Sequence, residues 1–284
     1  MHHRLRSLLC ALALLLAGAS SFGLEIASLT RQDGHAVPVA VYAPARDACD
    51  GIAVISPGAG GSEAGYRYLG EAMSAFGYLA LVVGHRESGR EALRRFVAGA
   101  NLREGLARLL TDPDAHRGRA LDIAAARAWA LSRCPAARTT VLIGHSLGAA
   151  SVMIEAGARN EVGAHGSDSF DAYVALSPQG VGTIFPRHAW SSIARPVLSI
   201  TGTRDDELGR LSWETRTEPF ADMRAGCKWL LVVDGATHMD LGGRGGSQPV
   251  ETQVVRVIRA FLDAVRRGDC RAPAALQGLD LRSK

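Results

Sequence analysis

The sequence predicts an α/β fold built on a mostly parallel sheet. Two observations carry this. Short apolar runs alternate with amphipathic helical patterns, as in successive β-α-β units. A Gly-x-Ser-x-Gly pentapeptide stands between one such run and the helical pattern after it. No stretch resembles another at a fixed period, which excludes a repeat architecture.

The elements follow in order. Residues 24–30 and 36–42 flank Asp33-Gly34, a turn signal, and predict a hairpin. Residues 52–56 form a short apolar strand. Residues 66–76 place Leu69, Met73 and Phe76 on one helical face, and Gly77 stops the helix. Strands are expected at 78–83, 140–143, 172–176, 197–200 and 229–233. The long connection from 85 to 138 reads as helices over 90–97 and 101–110. A third runs to about residue 131, with Asp112 as cap and Pro113 in its first turn. A helix follows at 147–158. The last helix starts at Pro249 and carries Val250, Val254, Val257, Ile258, Phe261, Leu262 and Val265 on one stripe, with Gly268 as its stop. Between Ser177 and Pro196 the chain is too short for a large inserted cap domain. The expected organisation is one domain over 24–270 and a C-terminal tail over 271–284.

Composition removes several classes. The chain of 284 residues is 47% hydrophobic and 21% charged, so it can bury a core and is not disordered as a whole. The net charge is +4, and the 32 basic residues are Arg apart from Lys228 and Lys284. The Arg-rich segment 86–138 interleaves its cations with Glu87, Glu91, Glu104, Asp112, Asp114 and Asp122. It lacks the unbroken basic patch with stacking aromatics that a nucleic-acid face needs, and no nucleic-acid partner is expected.

Residues 1–23 read as a secretory signal. Arg4 and Arg6 precede an apolar stretch over 8–16, and Ala17-Gly18-Ala19 fits a small-residue cleavage site, giving a signal peptide over 1–19. The run is shorter than the ~20 apolar residues a membrane span needs, so no stable membrane anchor is expected. The expected location is periplasmic or extracellular. Cys49, Cys134, Cys227 and Cys270 remain after cleavage, an even number that suggests two disulfides in an oxidising compartment.

The chemistry concentrates at Gly144-His145-Ser146-Leu147-Gly148. A sharp turn there exposes Ser146 at the carboxyl edge of the sheet and at a helix N-terminus, where developing negative charge is favoured. A serine nucleophile needs a base, and the base needs an orienting acid, in the chain order Ser, acid, His. His238 is the only His after His188 and follows a strand, which makes it the base. Asp205, Asp206 and Glu207 follow the strand at 197–200 and are the candidate acids. The oxyanion calls for two N–H donors. The Leu147 amide is one, and the loop Pro57-Gly58-Ala59-Gly60-Gly61-Ser62 supplies the other, from Ala59 or else Gly58. That loop lacks the phosphate-binding Gly-x-x-x-x-Gly-Lys spacing, so no nucleotide cofactor is expected. No His spacing suggests a metal. His85 is expected to line the pocket, His145 to pack locally, and Asp240 to order the His238 loop.

From about residue 36 to 265 the chain resembles the α/β-hydrolase superfamily. The matching pieces, in order, are SPGAGGS at 56–62, GHSLGA at 144–149, TGTRDDE at 201–207 and GATHMDL at 235–241. More loosely, it is similar to dienelactone-hydrolase-like and platelet-activating-factor-acetylhydrolase-like esterases. The resemblance implies an eight-stranded sheet and a Ser146–His238–Asp205 triad, with Asp205 preferred over Asp206 by its place in the Gly-x-x-Asp turn. It places Ala59 after the Pro-Gly pair of the oxyanion loop, although many relatives have His-Gly where this chain has Pro57-Gly58. Dienelactone hydrolases proper use a Cys nucleophile, and Ser146 points instead to ordinary ester chemistry. The layout also implies pairing of Cys49 with Cys134 and of Cys227 with Cys270. The function expected is exported ester hydrolysis on a small-molecule substrate, without cofactor. An acyltransferase, a peptidase or a non-catalytic binding protein would keep the same fold.

Overall fold

The computed structural model describes residues 24–46, 48–206 and 212–284. The signal peptide expected over 1–19 and Glu207 lie outside the described residues. The strands are β1 (Leu24–Thr30), β2 (Ala36–Tyr42), β3 (Gly51–Ser56), β4 (Tyr78–Val83), β5 (Thr140–His145), β6 (Ala172–Leu176), β7 (Val197–Arg204), β8 (Lys228–Thr237) and β9 (Asp280–Ser283). They form one sheet in the order β1-β2-β4-β3-β5-β6-β7-β8-β9. From β4 through β8 neighbours are parallel, while β1, β2 and β9 join antiparallel.

The sheet has nine strands rather than eight. The ninth comes from the segment expected to be a tail: Asp280–Ser283 pairs with Trp229 to Val232 of β8. Its sequence, Asp-Leu-Arg-Ser, has one apolar residue and no strand signal of its own. The unpaired backbone edge of β8 recruits it, through hydrogen bonds that any side chain permits.

The helices are α1 (Arg67–Ala75), α2 (Arg90–Val97), α3 (Leu102–Leu110), α4 (Pro113–Arg133), α5 (Leu147–Glu155), α6 (Glu218–Asp222), α7 (His238–Leu241) and α8 (Gln248–Arg267). Asp112 caps α4 by accepting the Ala115 amide at 2.7 Å. Side chains alternate across the central strands, so each strand feeds two cores. Val54, Leu81 and Leu142 belong to one cluster with Ile123 and Ala126 of α4 and Val152 of α5. Ile55, Val82 and Ile143 belong to the other, with Leu69 and Met73 of α1 and Val254 and Phe261 of α8. Among the described residues, no helix is long and apolar enough to cross a membrane.

Two disulfides join Cys49 to Cys134 and Cys227 to Cys270, with Cα–Cα distances of 5.9 and 5.0 Å. The parallel register brings the carboxyl ends of β3, β5, β6, β7 and β8 to one edge. The chain leaves β3 toward β4 on one side and β5 toward β6 on the other. The crevice between β3 and β5 is therefore the switch point where open α/β sheets bind ligands.

Candidate active site

Ser146 stands at that switch point, between β5 and α5. Its backbone has φ 56° and ψ −120°, a conformation costly for a residue with a Cβ. The flanking glycines make the turn possible. A Cβ on Gly148 would run into the Ser56 carbonyl oxygen, and one on Gly144 into the Gly148 carbonyl. The Ser146 amide donates to the Leu176 carbonyl of β6 at 3.0 Å, which holds the turn down.

His238 and Asp205 arrive from the ends of neighbouring strands. Both β8 and β7 extend further than their apolar runs, so Asp205 directly follows β7 and His238 begins α7. His238 Nδ1 lies 2.8 Å from Asp205 Oδ1. Asp205 is fully buried and also accepts from the Thr201 hydroxyl at 3.0 Å. Asp206 is exposed and accepts the Trp213 amide instead, at 3.2 Å. Asp240 orders the turn at His238 through a reciprocal capping box with Thr237. Ser146 and His238 line one cavity of about 690 Å³, within the range of small-molecule sites.

The Gly-rich loop after β3 lines the same cavity. A Cβ on Gly58 would sit 3.2 Å from Ser146 Cβ, so the loop is packed onto the serine. The Gly58 amide is occupied, donating to the Tyr66 hydroxyl at 2.9 Å. The Gly60 amide donates to the Ser88 carbonyl and the Gly61 amide to the Gly58 carbonyl. The Ala59 amide has no hydrogen-bond partner among the described residues, and neither has the Leu147 amide at the start of α5.

Three buried groups whose partners the sequence did not reveal lie around these residues. The first is Arg216, 2% exposed, from the short 3-10 turn Trp213–Thr217. Its Nε lies 3.1 Å from Asp205 Oδ1 and donates to the Asp205 carbonyl at 2.7 Å, and its Nη1 donates to the Ser177 carbonyl at 3.0 Å. The second is a directional chain through His145. Its Nε2 faces the His238 carbonyl at 3.0 Å, and a carbonyl only accepts, so Nε2 carries the proton. Burial pushes the His145 imidazole well below its usual range, so the ring is neutral and Nδ1 accepts. The Tyr66 hydroxyl, 2.9 Å away, must then donate to Nδ1 while accepting the Gly58 N–H. One defined run of hydrogen bonds thus ties the Gly-rich loop after β3 to the backbone of His238.

The third is Arg119 of α4, 1% exposed and held by neutral groups. It donates to the hydroxyls of Ser151, Ser88 and Ser56 at 2.8, 2.7 and 2.8 Å, and to the Pro57 carbonyl. Burial without a directly bonded carboxylate pushes its guanidinium down to about 9. His85 does not line the cavity as expected. It is buried behind the loop, 2.9 Å from Ser56 Oγ and 3.0 Å from Asp122 Oδ2. Ser56, His85 and Asp122 thus repeat a Ser–His–Asp array, but none of the three borders the cavity. With Arg119 they brace the strand end that carries the Gly-rich loop. No sequence pattern distinguishes these residues, because their partners lie tens of residues away. Among the described residues, no group of His, Cys, Asp and Glu is placed to hold a metal ion.

No protein-family model and no curated protein matches the sequence. Among solved structures the chain is similar to an alpha-beta serine hydrolase homologue from Coxiella burnetii, with a TM-score of 0.57 and 17% identity. The match covers 82% of this chain and 97% of that one. The chain has the α/β-hydrolase fold.

Proposed function

We propose that the protein is an exported serine ester hydrolase. The observation that carries this is that His238, which lines one cavity with Ser146, is hydrogen-bonded at 2.8 Å to the buried Asp205. Ser146 Oγ attacks the ester carbonyl carbon and its proton passes to His238 Nε2. Asp205 holds Nδ1–H, so that Nε2 is the basic nitrogen, and it stabilises the imidazolium that forms. The amides of Leu147 and Ala59 receive the oxyanion, supported by their lack of other partners and by the N-terminus of α5. The carbonyl–alkoxide bond then breaks, and the alkoxide takes the proton from Nε2. Water attacks the acyl-enzyme, gives a proton to Nε2, and Ser146 leaves reprotonated. The acid is released and no cofactor takes part.

Hydrolysis rates on p-nitrophenyl esters from acetyl to palmitoyl, with Ser146→Ala beside the wild type, test this reading. Saturable turnover lost in the variant is expected. Equal rates in both proteins would overturn it. Export is supported by the signal pattern over 1–19 and by two disulfides. The secreted protein is expected to begin at Ser20, and an N-terminus at Met1 would refute export.

A further inference from the structure

Arg119 of α4 links the two segments that carry the proposed oxyanion donors. One is the Gly-rich loop. The Pro57 carbonyl, just before Gly58, accepts from Arg119 Nη2, which also reaches Ser56 Oγ at the end of β3. Arg119 Nη1 donates to the Ser88 hydroxyl at 2.7 Å. Ser88 holds the far side of the loop in turn, because its carbonyl accepts the Gly60 amide at 2.8 Å. Ala59 therefore lies between two anchored peptides, and one guanidinium reaches the anchors of both. The other segment is α5. Arg119 Nε donates to Ser151 Oγ at 2.8 Å, and the Ser151 hydroxyl donates to the Leu147 carbonyl at 3.2 Å.

The loop needs such a clamp. Gly58, Gly60 and Gly61 leave its backbone freer than other residues would, and Gly60 sits at φ +72°. An amide that swings is not a preorganised donor. The clamp also needs this side chain. Arg119 is buried, and the hydrogen bonds it makes go to hydroxyls and a carbonyl, with no carboxylate among them. Burying a cation in that way is costly, so packing alone would be better served by an apolar residue. What the guanidinium adds is a rigid fork of N–H donors that meets oxygens of β3, of the turn before α2 and of α5 at once.

We propose that Arg119 is the positioning residue of the oxyanion site, fixing the Ala59 amide relative to the Leu147 amide so that both N–H groups meet the oxygen of the tetrahedral intermediate. The inference rests on the proposed serine ester hydrolysis. Arg119 does not border the cavity, so it touches no substrate. Its loss spares ester binding and raises the barrier.

The experiment compares the wild type with Arg119→Met in two assays. Hydrolysis of p-nitrophenyl butyrate gives kcat and KM. Inhibition by an alkyl trifluoromethyl ketone and by the methyl ketone of the same chain separates the tetrahedral adduct from the ground state. Ser146 Oγ adds to the fluorinated carbonyl carbon, its proton passes to His238, and an oxyanion remains; the methyl ketone binds as the ketone. In Arg119→Met, kcat and trifluoromethyl-ketone affinity are expected to fall together by about 10–100-fold. KM and methyl-ketone affinity should stay within about twofold. A merely structural role would lower Tm and the folded fraction, but not the ratio of the two ketone affinities. Arg119→Lys is expected to recover part of the loss. Ser88→Ala with Ser151→Ala removes two of the acceptors and keeps the cation, and it should lower the ketone ratio at least about threefold. That pair decides the matter if Arg119→Met does not fold. A ratio unchanged from wild type in Arg119→Met, or in the serine pair where Arg119→Met does not fold, would overturn the inference and leave the hydrolase reading standing. A wild type without Ser146-dependent turnover or ketone binding would sink the hydrolase reading, and this inference with it.

Discussion

Replacing Asp205 with Asn removes one negative charge and keeps the shape of the side chain, so it separates two jobs of that carboxylate. Toward His238 it accepts from Nδ1 at 2.8 Å. An Asn that turns its NH2 toward the ring selects the other tautomer, with the proton on Nε2 and no base facing Ser146. A fall in kcat of roughly 10³–10⁴-fold is expected. Toward Arg216 the carboxylate is the counter-ion, 3.1 Å away, with both groups buried. Stranding a buried charge costs about 3–5 kcal/mol. Arg216 keeps its bonds to the Asp205 and Ser177 carbonyls at 2.7 and 3.0 Å, which places the loss near the lower end. About 3 kcal/mol in a domain of this size lowers Tm by about 6–12 °C. The assay is kcat/KM on a p-nitrophenyl ester, corrected for the folded fraction, beside a thermal melt. The pair Asp205→Asn with Arg216→Met should regain most of the lost stability and none of the rate. Asp206→Asn, exposed, should change stability by less than about 0.5 kcal/mol. Asp205→Asn within tenfold of wild-type activity, or an equal loss in Asp206→Asn, would refute the reasoning.

Other outcomes follow from the same geometry. Tyr66→Phe leaves the Gly58 N–H and His145 Nδ1 unpaired in the interior. A stability loss of about 2–4 kcal/mol is expected by urea titration, with kcat falling more than KM rises; an unchanged midpoint and kcat would show that the chain through His145 is idle. The disulfides close sequence separations of 85 and 43 residues, worth about 4.6 and about 4.0 kcal/mol in a chain-entropy account. Replacing both members of either pair with Ala should lower stability on that scale, measured by denaturant unfolding under non-reducing conditions. Burial holds His85, His116 and His145 below the usual imidazole range. The unfolded chain binds protons there that the folded chain does not. That stability is present above about pH 6.5 and is lost as the pH falls. Asp122, pushed up to about 7 by burial, runs the other way, because its folded state keeps a proton that the unfolded state releases. With three groups against one, Tm should fall from pH 7 to pH 5, and a rise over that interval would refute the balance.

Much of this molecule is legible in its sequence, for a local reason. Hydrophobic periodicity decides whether a segment can bury one face as a strand or a helix, and it located β1 to β8 and the long helices. The turn at Ser146 is also local, because Gly144 and Gly148 are the residues whose missing Cβ atoms let it close. The cap at Asp112 acts within three residues. The choices of the acid and of the oxyanion donor proposed above are different in kind. Asp205 and Asp206 are neighbours of the same type. Only the direction each side chain takes at the end of β7 puts one against His238 and the other against the Trp213 amide. Gly58 and Ala59 differ because the Tyr66 hydroxyl claims the Gly58 amide. Periodicity is silent on β9, whose pairing is a backbone interaction at the edge of β8. Arg216 meets Asp205 and Ser177 across 11 and 39 residues, and Tyr66 meets His145 across 79. The sequence by itself determines steric and hydrophobic facts within a few residues of each other. The tertiary structure alone decides which buried polar groups become partners, because that matching depends on distances the chain sets only when the sheet is assembled.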